Sequence, residues 1–204
     1  MRNKNKWLVG VLLSLVASVA FGQEGRFYGS VAVGQSDLDT SEGDFAVLND
    51  GSLSNQRVDD EDTSLKLQVG YWASDTIGLE FGYVDLGEVQ FDATSDGSGS
   101  FYAAGPVDFD VAVDGLALGA NIRLPLDQTF ALATRLGVFQ WDLEATLSDS
   151  TGGITLDDDG TDLYFGLGVL ASINRDFALK LEFERYQVDD GDIDVFALGA
   201  EFTF

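Results

Sequence analysis

The feature that most constrains this chain is an alternation of apolar and polar side chains with a period of two. It recurs in eight separate segments, and no helical period appears beyond the first two dozen residues. The segments are Phe27 to Gln35, Ser64 to Ala73, Ile77 to Asp85, a stretch within Phe109 to Leu124, Thr129 to Leu143, Leu163 to Ile173, Phe177 to Tyr186 and Ile193 to Phe204. In the last, Phe196, Leu198, Ala200, Phe202 and Phe204 alternate with Ala197, Gly199, Glu201 and Thr203. Such a chain is all-β.

The connections alternate as well. Ser74-Asp75-Thr76, Pro125 to Gln128 and Asn174-Arg175-Asp176 read as tight turns. The others are long, acidic and rich in Ser and Gly: Ser36 to Thr63, Leu86 to Asp108, Glu144 to Asp162, and the shorter Val188 to Asp192. Short turns at one end and long loops at the other predict an eight-stranded antiparallel up-and-down transmembrane β-barrel. Long loops would face outside the cell and the turns the periplasm. One segment breaks phase: Phe109, Val111 and Val113 do not align with Leu116 onward. This predicts a bulge near Asp114-Gly115 or a strand running past the lipid.

Which face meets lipid follows from glycine and charge. Gly70, Gly78, Gly82, Gly119, Gly137, Gly166, Gly168 and Gly199 share the polar face. Glycine weakens strands, so a solvated face gains nothing from it, whereas a narrow lumen needs room for long side chains. Lys66, Arg123, Arg135 and Lys180 fall on that face against Glu80, Glu182, Glu184 and Glu201. Buried charge is tolerable only when paired, so these eight residues are expected to form a lumenal ion-pair network. Tyr71, Trp72, Phe81, Tyr83, Phe177, Phe202 and Phe204, at or near strand ends, are expected in interfacial girdles. The rival architecture is a soluble, exported lipocalin-like carrier, its apolar residues turned inward around a ligand. A small-solute porin fits poorly, because side chains fill an eight-strand interior.

Residues 1–22 read as a signal peptide. Arg2, Lys4 and Lys6 precede an apolar run from Trp7 to Phe21, too short to span a membrane as a helix. Cleavage is expected after Ala20 or Gly22, leaving residues 23–204 as the barrel. Without those three bases, 8 of the 11 Lys and Arg remain against 35 Asp and Glu, a net of −27. Nucleic acid is excluded as a partner by that charge. There is no cysteine, so the exported chain holds together without disulfides.

Tyr164-Phe165-Gly166-Leu167-Gly168, the turn at Asn174 to Asp176, and Leu181-Glu182-Phe183-Glu184-Arg185-Tyr186 resemble the penultimate hairpin of OmpA-like barrels. The terminal strand, with Phe202 and Phe204, is similar to the signal that barrel-assembly machinery recognises. The resemblance implies an OmpA-like member of the porin families, resident in the outer membrane of a Gram-negative bacterium. OmpA itself continues into a peptidoglycan-binding domain; this sequence stops at Phe204, so peptidoglycan anchoring is not carried over.

Little chemistry is expected. The chain has no histidine and no cysteine, which removes the usual general base and thiol nucleophile. Gly97-Ser98-Gly99-Ser100 lacks the strand-to-helix context of a nucleophile elbow, and Gly152-Gly153 lacks the helix of a phosphate cradle. No cofactor is implied. Asp157, Asp159 and Asp162 form the most metal-like run, a candidate weak Ca²⁺ or Mg²⁺ loop, though the bidentate Glu of an EF-hand is missing. The expected role is structural or surface-interacting, not enzymatic, with at most a narrow ion path. Expected partners are outer-membrane lipid, lipopolysaccharide, the assembly machinery and divalent cations at the acidic loops.

Overall fold

The computed structural model describes residues 26–38, 49–189 and 191–204. The signal peptide read over residues 1–22 lies outside the described residues, as does 39–48 of the first long connection. Nine strands are described: β1 Arg26–Leu38, β2 Leu53–Asp59, β3 Glu61–Trp72, β4 Ile77–Ser95, β5 Gly105–Pro125, β6 Phe130–Asp149, β7 Gly152–Ser172, β8 Phe177–Val188 and β9 Gly191–Thr203. Eight of them close a barrel in the order β4-β3-β1-β9-β8-β7-β6-β5, with β5 pairing back onto β4. The ninth, β2, stands outside this ring and pairs with the far end of β4.

The alternation sets which way each side chain points. Val31, Val33, Leu67, Leu79, Leu118, Ile122, Leu136, Leu167, Leu181 and Leu198 are exposed on the outer wall, whereas Lys66, Glu80, Arg135, Lys180, Glu182, Glu184 and Glu201 are buried inside. The arrangement is the inverse of a soluble barrel and leaves no place for the lipocalin-like alternative.

The three tight turns share one construction. Ala73, Leu126 and Ile173 each donate a backbone hydrogen bond to the carbonyl four residues on, at Ile77, Phe130 and Phe177. Inside each turn a short polar side chain accepts from the start of the next strand. Ser74 Oγ takes the Ile77 N–H at 3.0 Å, Asp127 Oδ1 the Phe130 N–H at 2.7 Å, and Asn174 Oδ1 the Phe177 N–H at 2.9 Å. Ser, Asp and Asn serve here because their side chains reach back to the backbone within a turn.

The opposite end departs from expectation. The expected loop Leu86 to Asp108 is mostly strand, since β4 runs to Ser95 and β5 starts at Gly105. Glu144 to Asp162 is a long hairpin pairing through Asp149↔Gly152, with only Ser150 and Thr151 between its strands. The Ser36 to Thr63 connection contains β2 and the beginning of β3. By contrast β8 ends at Val188, β9 starts at Gly191 and β1 ends at Leu38. The barrel thus has one low rim and one tall side, a sheet of β2, β4, β5, β6 and β7 that we call the wall.

Of the two causes expected for the phase break, the structure has the second, a strand running past the lipid. Pairing of β5 with β6 runs without interruption from Val107↔Asp149 to Pro125↔Ala131, so β5 carries no bulge at Asp114-Gly115. The irregularity lies on β4, between Asp85 and Glu88, across from Asp114 and Ala112. There Leu86 and Gly87 face the single residue Val113, and Gly87 adopts φ +81°, a left-handed conformation that suits glycine. On β5 the backbone keeps its register while the polarity flips. Val107, Phe109, Val111 and Val113 point inward, on the same side as Ala117, Asn121 and Arg123. Above the lipid the outside is water, so apolar groups move to the inner face of the same strand. Phe91, Ala93, Tyr102 and Val107 bury there, packed by Leu53, Val58, Phe109 and Leu147.

Candidate functional site: a filled lumen and an acidic wall

The lumen is built in layers. Its middle holds three cations and three anions. Lys66 Nζ donates to Glu182 Oε2 at 3.0 Å and also to Glu184. Arg135 meets Glu80 through Nε at 3.0 Å and Glu184 through Nη1 at 3.0 Å, and it contacts Glu182 as well. Lys180 lies 3.3 Å from Glu182 Oε1 and donates to Ser30 Oγ and Gln68 Oε1. The remaining lone pairs are used: Tyr28 and Tyr186 hydroxyls donate to Glu80 and Glu184, each at 2.7 Å, and Gln68 Nε2 donates to Glu80 at 2.8 Å. Sequence reasoning missed Tyr28, Gln68, Asn121 and Tyr186; their inward parity, shared with the charged residues, was the available signal.

Arg123 and Glu201 do not join this layer. They pair with each other at 2.5 Å nearer the turn end, with the guanidinium 4.2 Å from the Trp72 ring centre. Trp72 is buried and stacks on Tyr28, so it belongs to the lumen and not to an interfacial girdle. It is the even-numbered neighbour of Tyr71, and parity places it inside. Glycines make the space: a Cβ on Gly70 would enter the Tyr28 ring, and one on Gly137 would enter Tyr164.

Toward the wall, the ionic layer gives way to an apolar plug. Phe139, Trp141, Tyr164 and Tyr186 bury with Val84, Leu86, Val113, Ile193 and Val195. Tyr164 and Tyr186 stack at 5.3 Å, and Phe139 meets Tyr186 edge-on at 4.9 Å. An unbroken line of water would have to cross both the salt bridges and this plug.

The outer face of the wall is acidic. Asp85, Asp114, Asp142 and Asp159 are successive cross-strand neighbours on β4, β5, β6 and β7. A second row places Glu88, Ala112, Glu144 and Asp157 side by side. Like charges directly opposite repel. Partial burial, then Asp114 and Asp159, hold the Asp142 carboxyl above the usual range, and burial with Glu88, Asp108 and Asp92 does the same to Asp110. From Leu136 through Asn174 the chain has no Lys or Arg, nor does it between Lys66 and Arg123.

The metal-like run is not a loop. Asp157 and Asp159 lie on the outer face of β7, while Asp162 points inward and accepts from Trp141 Nε1 at 2.8 Å. Strand alternation separates them, and among the described residues no group of three acidic side chains is arranged to hold a metal ion. Phe202 and Phe204 lie exposed on the lipid side of β9, their rings 6.2 Å apart.

A closed eight-strand barrel with an apolar exterior and a polar, side-chain-filled interior is an integral outer-membrane protein. The chain belongs to the OmpA-like transmembrane domain family, whose profile matches residues 22–200. None of the curated proteins compared with it matches in sequence. Among solved structures, its fold is similar to Ail, the attachment invasion locus protein of Yersinia pestis, crystallised with the heparin analogue sucrose octasulfate. That pair shares 17% identity and a TM-score of 0.52 over 89% of this chain and 100% of the other. Neisserial surface protein A gives 11% and 0.56 over 89% and 100%. The N-terminal barrel of Pseudomonas aeruginosa OprF gives 14% and 0.52 over the same shares.

Proposed function

We propose that this protein is a closed, non-enzymatic scaffold that presents its acidic wall outside the cell. The observation that carries this reading is the lumen, filled from the Trp72–Arg123–Glu201 mouth through the ionic layer to the Tyr164–Tyr186 plug. A barrel so filled conducts little, and the chemistry it offers to the outside resides in the wall. Residues 1–22 would direct export and be removed after Ala20 or Gly22. The lipid-facing Phe202 and Phe204 on the last strand would engage the barrel-assembly machinery.

The wall's charge also sets its partners. A sulfated polyanion such as the ligand seen with Ail would be repelled by the rows of Asp and Glu. Divalent cations would instead gather along these rows and bridge them to the phosphates of lipopolysaccharide.

Protease added to intact cells tests the orientation: cleavage is expected in the exposed 96–104 connection, near Gly97. Tags placed at Asp75 or Arg175 should stay hidden, and surface display at those turns alone would overturn the topology. In planar bilayers the purified barrel should show no sustained open state; steady large conductance would refute the filled lumen.

A further inference from the structure

We infer that the upper edge of β7 is a docking site for an extended cationic peptide, which adds to the wall as a further strand. The inference rests on the surface role proposed above. β7 pairs with β6 along its whole length, from Asp149↔Gly152 to Phe130↔Ala171, but with β8 only from Tyr164 to Ser172. Among the described residues, no strand lies beside β7 between Gly152 and Thr161 on its other edge. Ser172 N–H points to Thr129 of the β5–β6 turn and Ile173 N–H to Phe177 of β8. β7 has no bulge, so its odd-numbered residues direct their backbone groups away from β6. Gly153, Thr155 and Asp157 therefore present donors and acceptors along an open edge.

Three features select the occupant. First, Ile154 and Leu156 stand on the inner face, 59% and 65% exposed, although both are large and aliphatic. They continue the apolar surface of Leu147, which pairs with Ile154. Second, Asp157 and Asp159 project from the outer face beside Glu144 and Asp142. An added strand would meet apolar groups on one side and carboxylates on the other. A segment alternating Val, Ile or Leu with Lys or Arg satisfies both. Third, the same charges select against a second copy of this chain, since pairing two β7 edges would set Asp157 to Asp159 against their own kind. Asp158 also accepts from the Asp159 N–H at 2.9 Å, occupying one donor toward the rim. The usable edge thus centres on Gly153 to Asp157.

The test uses the full barrel in nanodiscs and a capped peptide of alternating Lys and Val, about nine residues long to match the open edge. Binding is read by fluorescence anisotropy and by hydrogen exchange at Gly153, Thr155 and Asp157. Slowed exchange at these amides is expected. Thr155→Pro removes one edge donor while keeping every carboxylate and both aliphatic side chains. It should weaken binding about ten-fold, the scale of one or two backbone hydrogen bonds. Thr155→Val keeps the donor and should bind as the native protein does. Equal binding by Thr155→Pro, or by a Lys-Gly peptide of the same charge, would reduce the effect to charge attraction and overturn the proposal. Because the purified barrel is used, failure here leaves the orientation measured on intact cells untouched.

Discussion

The same strands cross two regions of this molecule and are built inside out between them. Within the membrane, β4 to β6 turn leucines outward and salt bridges inward; in the wall they turn acidic groups outward and Phe91, Val107, Phe109 and Leu147 inward. β5 makes the change with no alteration of register, whereas β4 makes it with a bulge at Leu86-Gly87. The backbone ladder is indifferent to which face is apolar. The surrounding medium decides, so the residue at which polarity inverts marks the membrane boundary more sharply than any strand end.

The comparison can be broken most forcefully at the lumen. Arg135→Ala leaves Glu80, Glu182 and Glu184 buried without their shared guanidinium, a loss of about 3–5 kcal/mol. The denaturant midpoint of the folded barrel should fall clearly, and an unchanged midpoint would mean that the charges are solvated. A paired experiment on one face of β5 comes next. Leu118→Lys places a cation against lipid and should cost about 2–4 kcal/mol. Asp110→Lys, on the same outer face but beside Glu88, Asp108 and Asp92, should stabilise by about 0.2–1 kcal/mol. If both substitutions act alike, the boundary does not lie between them.

A smaller effect belongs to the bulge. Gly87→Val forces a branched side chain into φ +81° against Asp62, at a cost of about 1–3 kcal/mol. Exchange should quicken in the wall amides around Val89 to Phe91 and stay unchanged in the barrel.

The gentlest probe is pH. Asp110 and Asp142 have raised values, so their repulsion fades as pH falls through the region just above the ordinary carboxylate range, and the wall gains stability there. Asp50 and Asp149 lie at about 2, lowered by the Ser52 hydroxyl with the Phe101 N–H and by the Ala103 N–H with Thr151 respectively. Their contribution is present above the ordinary range and lost as pH falls toward 2. Exchange at Phe101 and Ala103, corrected for intrinsic rate, should therefore pass through a minimum; a monotonic profile would count against the pairing of opposite shifts.

Much of the barrel was legible because lipid enforces strict alternation: the eight strands and the inward set of charges follow from parity, and the three turns from their Ser, Asp and Asn. The wall was not, for a physical reason. Its strands are rich in Gly, Ser and Asp, as in Gly152-Gly153 and Asp157-Asp158-Asp159, and water on the outer face permits the composition of a loop. The inverted phase of Phe109 to Val113 was visible, but a bulge and a change of solvent leave the same trace in one strand. Only pairing partners separate them. Trp72 was misplaced because an aromatic at a strand end suggested a girdle, although its parity with Gln68 and Gly70 pointed inside.

The β1–β9 seam is the pairing that turns the sheet into a ring. Every other pairing joins strands adjacent in the chain or separated by one short element, but Tyr28↔Thr203 unites its two ends. Closing so long a span costs about 3 kcal/mol more loop entropy than closing a hairpin. Lys66 on β3 reaches Glu182 and Glu184 on β8 only across that closed seam. An unfinished sheet would carry Lys66 without either of its carboxylates, while Glu182 and Glu184 would keep Arg135 of β6. One lysine thus ties the ionic lumen to the closing of the ring, because its ion pairs exist only where the two edges of the sheet have met.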